Sequence, residues 1–353
     1  MAQDTQTNRP LRIATYNVEW FNSLFDDDGA LLDDGGWSGR HDVTRADQLS
    51  ALGIVFTAMD ADAVMVIEAP DSNRKRDTST ALENFARHFG LRTSKALTGF
   101  TNNTQQEIAL LYDPALMDAA HDPKGAIPGK HGSYDAPRFD GVFRIDLNVD
   151  AAPDQVRFSK PPLEAALTTK TGETLRLIGV HIKSKAPHGA ETPAEVMQIS
   201  IANRRKQLAQ CIWLRQRVDE HLAAAEDLIV LGDFNDGPGL DEYEKLFGRS
   251  GVEIVLGDEG GPCLYDPHIR MALNQRLGAR PVTSRFYIHQ DKRYLQALLD
   301  YVMVSPGLRA KSRRWRIWHP FDDPACYRTP ELREVLLTAS DHFPVSLDMD
   351  LTT

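Results

Sequence analysis

Cysteine is scarce: three residues, Cys211, Cys263 and Cys326, in a chain of 353. Their odd number and irregular spacing argue against a disulfide framework and against a cysteine-ligated zinc site, and point to isolated thiols in a reducing compartment. No apolar run approaches the ~20 residues that span a bilayer. The opening MAQDTQTNRP lacks the charged-then-apolar pattern of a secretory signal, so a cytoplasmic protein is expected. Positive charge is in deficit, with 50 Asp and Glu against 40 Lys and Arg. Bulk charge therefore does not mark a nucleic-acid binder, although a local basic patch can serve a polyanion on an acidic protein. No repeat of fixed period and no compositional break that marks a linker is present. With 42 % hydrophobic residues the chain can bury an ordinary core without covalent staples. Residues 1–10 are polar and expected to be flexible; 11–353 are expected to form one domain.

What the chain does have is a series of short apolar, β-branched runs. LRIATY (11–16), AVMVIEA (63–69), EIALLYD (107–113), 139–149, 174–182, DLIVLGDFN (227–235), LDYVMVS (299–305), RRWRIW (313–318) and FPVSLDMDL (343–351) are strand-like. Thr44-Arg45-Ala46-Asp47 resembles a helix-opening capping box, followed by Leu49, Leu52, Val55, Phe56 and Met59 at helical spacing. Residues 80–89 and 194–222 are two further helices. FDDDGALLDDGGWSG (25–39) holds five aspartates and is expected to be a surface loop; 121–137 and 256–296 are irregular. Strands apolar along their whole length need cover on both faces, which predicts two packed sheets with helices outside.

The chemistry-bearing residues recur where apolar strands meet loops: Asn17, Glu68, His181, Asp233 with Asn235, Asp300, and Asp341 with His342. One such position alone is usually a turn former. If the strand ends converge, the carboxylates repel unless a cation neutralises them. The donors are carboxylate and amide oxygens without thiolate, which suits a hard ion, Mg²⁺ or Mn²⁺, rather than zinc. The plain alternatives are a core histidine at His181, a strand start at Asp300, and a simple loop at Asp71, Ser72 and Asn73.

Six ordered motifs, TYNVEW (15–20), VIEA (66–69), HIKSK (181–185), GDFND (232–236), LDYVMVS (299–305) and SDHFPV (340–345), resemble the signature of the endonuclease/exonuclease/phosphatase superfamily, on its deoxyribonuclease-like side. The resemblance implies a four-layered α/β sandwich of two mostly antiparallel mixed sheets packed face to face. It implies that Glu68 and Asp341 hold a principal metal, and that Asn17, Asp233 and Asn235 hold phosphate, water or a second metal. It places His342 beside the scissile phosphate, oriented by Asp300. His181 matches the second histidine of the deoxyribonuclease and sphingomyelinase branches, with Glu107 as its carboxylate partner. Arg138 matches a phosphate-contacting arginine. A histidine held by a carboxylate is suited to move a proton during phosphodiester hydrolysis; His342 is expected as base or phosphate stabiliser and His181 as acid.

The resemblance implies a phosphodiester substrate, with nucleic acid the leading expectation. Arg74-Lys75-Arg76, Lys183 with Lys185, Arg204-Arg205-Lys206, Arg285 and Lys292-Arg293 are the basic groups that could follow a phosphate backbone. Trp37, Phe286 and Tyr287 could stack on bases. A small-molecule or lipid-headgroup phosphoester is the alternative, favoured by the acidic balance and the Asp-rich loop; a metal-binding scaffold without catalysis is the third. No basic amphipathic helix suggests stable membrane association, and no protein partner is expected.

Overall fold

LRIATY and AVMVIEA become parallel neighbours, β1 (Leu11–Asn17) and β2 (Ala63–Ala69), with helix α1 (Arg45–Met59) as their crossover. Thr44 accepts the Asp47 N–H at the start of α1, and the expected stripe from Leu49 to Met59 is buried. The computed structural model describes residues 9–127, 129, 131–146, 153–187, 189–240, 248–258, 260–274, 280–288 and 292–351. Most of the tail expected to be flexible, and His188 and His289, lie outside these residues.

The chain continues through α2 (Thr78–His88), β3 (Lys95–Thr98), β4 (Glu107–Tyr112), β5 (Met117–His121), β6 (Phe143–Ile145), β7 (Asp154–Val156) and β8 (Leu163–Thr169). A second parallel crossover follows: β9 (Thr174–His181), the long helix α3 (Pro193–Ala223) and β10 (Leu228–Asp233). Then come α4 (Gly251–Leu256), α5 (Pro267–Leu273), β11 (Ser284–Ile288), β12 (Arg293–Ala297), β13 (Asp300–Val304), α6 (Pro306–Arg309), β14 (Ser312–Ile317), α7 (Pro324–Arg328), α8 (Pro330–Ala339) and β15 (Val345–Met349).

The six-stranded sheet has the order β14-β15-β1-β2-β4-β3 and the five-stranded sheet β13-β10-β9-β8-β5. Each contains one parallel pair, β1 with β2 and β9 with β10, among antiparallel neighbours. Three apolar clusters separate four layers. Ile13, Met65 and Leu110 of the first sheet meet Leu177, Ile229 and Val302 of the second. Leu52, Val55, Leu82 and Phe85 cover the outer face of the first sheet; Trp213, Leu214, Val218 and Val252 cover that of the second. This is the four-layered sandwich expected from the resemblance. Among the described residues no helix is long and apolar enough to cross a membrane.

Three readings of the sequence change. The strand expected over 139–149 is confined to Phe143–Ile145, because Gly141 turns back onto Arg138 O; residues 147–149 lie outside the described ones. β3, β5 and β8 were not evident: β3 and β5 are short edge strands of mixed polarity, and LEAALTT carries as much helical as extended character. The segment 256–296, expected to be irregular, contains α5 and an antiparallel hairpin, β11–β12.

Candidate active site

In a parallel pair both strands end on the same side, and ligands gather there. Asn17 closes β1, Glu68 lies at the end of β2, His181 closes β9 and Asp233 closes β10. The register sets Asp233 between His181 on one neighbour and Asp300 on the other. Gly232 makes this possible: its φ is +135°, and a Cβ there would fall 2.1 Å from Val180 O. Face-to-face packing brings the ends of the first sheet onto those of the second, and Asn17 Nδ2 donates to Asp233 Oδ2 at 3.0 Å across the sheets.

Three site residues that are not glycine have left-handed backbone: Trp20 (φ 54°), Glu68 (φ 62°) and Asn235 (φ 49°). Such conformations persist only where surrounding contacts impose them, and they gather at functional sites. Glu68 is the extra residue of a β-bulge between Ile67 and Ala69, a device that re-aims a side chain. Its Oε2 accepts the Trp20 N–H at 3.2 Å. Asn235 donates its N–H to Asp233 Oδ1 at 2.7 Å and its amide to Ile182 O at 3.1 Å.

His342 and Asp300 form a buried pair, Nδ1 to Oδ2 at 2.7 Å. Burial opposes charge on this imidazole, but Asp300 first, then Asp233 and Asp341, outweigh it and raise its pKa well above the ordinary value. Its Nε2 lies 4.0 Å from Asp341 Oδ1. Ser340 braces the segment by donating to Asn17 O and accepting the His342 N–H, while Thr283 Oγ1 accepts the N–H of Leu299 and Asp300. His181 behaves oppositely. Burial, then Lys160 and His342, push its pKa well below the ordinary value. Its Nε2 is 3.6 Å from Asp233 Oδ2 and 3.9 Å from Glu68 Oε1.

Negative charge gathers on the first-sheet side of the pocket. Burial, then the neighbouring Asp341, push Glu19 up to about 7 despite its ion pair with Arg40. Burial raises Glu68 as well, and pushes Asp233 up to about 7. Asn17 Oδ1 and Asp300 Oδ1 are buried without a hydrogen-bond partner. Crowded carboxylates beside unmatched oxygen acceptors fit a hard divalent cation. Asp233, Asp300 and His342 also bring one ligand atom each within 4.8 Å of one another. There the His342–Asp300 hydrogen bond already engages Asp300 Oδ2, and Glu68 beside His181 and Asp341 beside His342 offer further carboxylate oxygens at the same pocket.

Asn17, Glu68, His181, Asp233, Asn235, Asp300, Asp341 and His342 therefore come together. Three expectations do not hold geometrically. Glu107 does not pair with His181: its carboxylate accepts the Asn102 N–H at 3.2 Å and the Asn102 amide at 2.7 Å, and burial pushes it up to about 7. Arg138 is turned to Asp140 through Nε and Nη2 and lies over the Phe100 ring. Lys185, beyond the end of β9, is bound to buried Asp236 at 2.7 Å, whereas Lys183 stays within electrostatic reach of Lys160 beside His181.

Two neighbours of the site were missed. Lys160 Nζ stands 3.2 Å from His181 Nδ1 and 3.3 Å from Nε2; it sits in a loop before β8, and nothing periodic marks it. Glu19 carried a usable signal, two residues after Asn17 in TYNVEW. The basic clusters are largely committed elsewhere. Arg76 ties Asp71 to the carbonyls of Asn22 and Phe25, Lys75 pairs with Asp27 in the Asp-rich loop, and Arg204 joins Lys185 on Asp236.

A buried histidine–aspartate pair beside a carboxylate cluster, at the strand ends of a four-layered sandwich, defines a class of phosphoester hydrolases. Residues 14–342 match the model of the Endonuclease/Exonuclease/phosphatase family, and the chain belongs to it. An AP endonuclease from Archaeoglobus fulgidus shares the fold with TM-score 0.51 at 13 % identity, over 97 % of this chain and 100 % of that one. The 3′ phosphatase NExo from Neisseria, bound to a product DNA hairpin, aligns with TM-score 0.48 at 16 % identity, over 96 % and 99 %. An uncharacterized C8orf48 homolog of Mus musculus is 32 % identical over 95 residues, 26 % of this chain and 32 % of that protein. That match spans about a third of the mouse protein.

Proposed function

We propose that this protein is a divalent-metal-dependent phosphodiester hydrolase acting on nucleic acid. The observation that carries it is the convergence of Glu68, beside His181, and Asp341, beside the Asp300-held His342, in one pocket. Glu68 and Asp341, with Glu19 beside them, would hold Mg²⁺ or Mn²⁺, which when bound supplies charge stabilisation at the phosphoryl oxygens. Asp300 engages Nδ1 of His342, so Nε2 is the nitrogen that contacts the phosphoryl group and exchanges a proton. His181 is the second proton-transfer group, and the Lys160 ammonium beside it stabilises negative charge in the transition state. Asn17 and Asn235 brace Asp233 and orient substrate or water through their amides.

Exposed Trp20, 43 % accessible and joined to Glu68 through its N–H, supports a nucleic-acid substrate, because every base offers a face to stack on. A compact phosphoester is the second reading, favoured by the internal pairing of Arg76, Lys75, Lys185 and Arg204. The test compares bis-p-nitrophenyl phosphate, plasmid and single-stranded DNA with Mg²⁺, Mn²⁺ or EDTA, over a range of salt. Metal-dependent DNA cleavage that weakens steeply with salt supports the first reading. Turnover of the small diester with DNA left intact supports the second, and turnover of all substrates in EDTA overturns the metal assignment.

A further inference from the structure

We propose that the β11–β12 hairpin is a stacking platform for an unpaired base flanking the scissile phosphate, with Tyr294 and Arg285 as its centre. The proposal rests on the nucleic-acid reading above and narrows it to single-stranded or frayed substrate.

The hairpin grows directly out of the catalytic segment. Ser284 bridges to His342, Arg285 donates its N–H to Asp341 O at 2.7 Å, and Phe343 donates to Thr283 O at 2.7 Å. Thr283, one residue before β11, also accepts the Asp300 N–H. Its root thus touches both members of the His342–Asp300 pair and Asp341.

Cross-strand register places Arg285, Tyr287, Tyr294 and Gln296 on one face, since directly opposed residues share a face and alternate residues return to it. Tyr287 and Tyr294 are opposed with ring centroids 5.2 Å apart. The Arg285 guanidinium lies 3.6 Å over the Tyr294 ring and 5.9 Å from that of Phe321. Tyr287, Tyr294 and Phe321 are 42, 52 and 43 % accessible.

A cross-strand tyrosine pair alone can be explained as hairpin stabilisation. Arg285 cannot: among the described residues it forms no salt bridge, although carboxylates occupy many of the other arginines of this acidic chain. A guanidinium seated over a ring, with no carboxylate paired to it among the described residues, presents donors to an anion and adds to a surface on which a base can stack. Charge complementarity and continuity with the hydrolytic pocket select a nucleotide as occupant. Stacking needs an exposed base face, which a paired duplex interior does not offer.

The test is steady-state kinetics of Tyr294→Ala, Tyr294→Phe and Arg285→Ala on a single-stranded oligonucleotide and on bis-p-nitrophenyl phosphate. Loss of one stacked base corresponds to roughly 5- to 150-fold. The expected result is a rise in oligonucleotide KM for Tyr294→Ala that exceeds any effect on the small diester at least five-fold, with Tyr294→Phe close to wild type. Equal losses on both substrates, or an unchanged oligonucleotide KM, overturn the platform while leaving the nuclease reading intact. A wild-type enzyme that turns over the diester but no oligonucleotide overturns both.

Discussion

At the scale of single residues the pocket depends on orientation more than on composition. Asp300 fixes which nitrogen of His342 faces the substrate, so Asp300→Asn keeps the shape but removes the charge that holds the imidazole. We expect kcat to fall by about 10²–10⁴-fold for Asp300→Asn, with His342→Ala at or beyond the upper end. Circular dichroism should report an intact fold in both. Near-normal turnover in either variant would remove the pair from the mechanism. The strand-end residues were legible in the sequence because each interrupts an apolar run. The partner of His181 was not: Glu107 looked suitable by type, but the bulge at Glu68 and the Asn102 turn give its carboxylate other donors, and Lys160 takes the place beside the imidazole.

Individual elements show where local chemistry and tertiary contact diverge. The β9–β10 pair carries His181 and Asp233, and its close approach needs Gly232. Gly232→Ala should lower the urea midpoint by an amount corresponding to about 1–3 kcal/mol, since the new Cβ meets backbone that cannot rotate away. An unchanged midpoint would show that the strands separate freely there. Helix α7 gives a pH prediction. Burial opposes ionisation of its cap, Asp323, but Arg316 and the Cys326 N–H outweigh it and hold the pKa at about 2. The folded value lies below the ordinary 3.8, so this stabilisation is complete above about pH 5 and is lost as pH falls through 2. After solvent screening it is worth about 1–2 kcal/mol. Asp323→Asn should therefore lower the melting temperature at pH 7 and make little difference near pH 2; an equal shift at both pH values would refute the ionic origin.

At the scale of the whole molecule the two sheets meet at a pocket that holds more negative charge than its local cations offset. Glu19, Glu68 and Asp341 come from separate segments, and their repulsion opposes the packing of the strand ends. A cation that binds only the folded chain stabilises it by mass action, about 2.7 kcal/mol at one hundred times Kd. Mg²⁺ or Mn²⁺ should raise the melting temperature of wild-type protein, EDTA should reverse it, and Glu68→Gln should blunt the response. Equal shifts in wild type and variant would place the ion elsewhere.

The sequence by itself determined the apolar central strands, the layered packing that such strands require, the order of the family motifs and the chemical types at the strand ends. Those are properties of residues and their immediate neighbours. The tertiary structure alone decided that Lys160 stands at His181, that the Glu19 N–H reaches Ser340 beside Asp341, that much of the basic charge is bound to internal carboxylates, and that an aromatic hairpin rises from the segment carrying Asp341 and His342. Each of these contacts joins segments far apart in the chain, so it depends on sheet register and on how the two sheets cross, which local pattern does not specify.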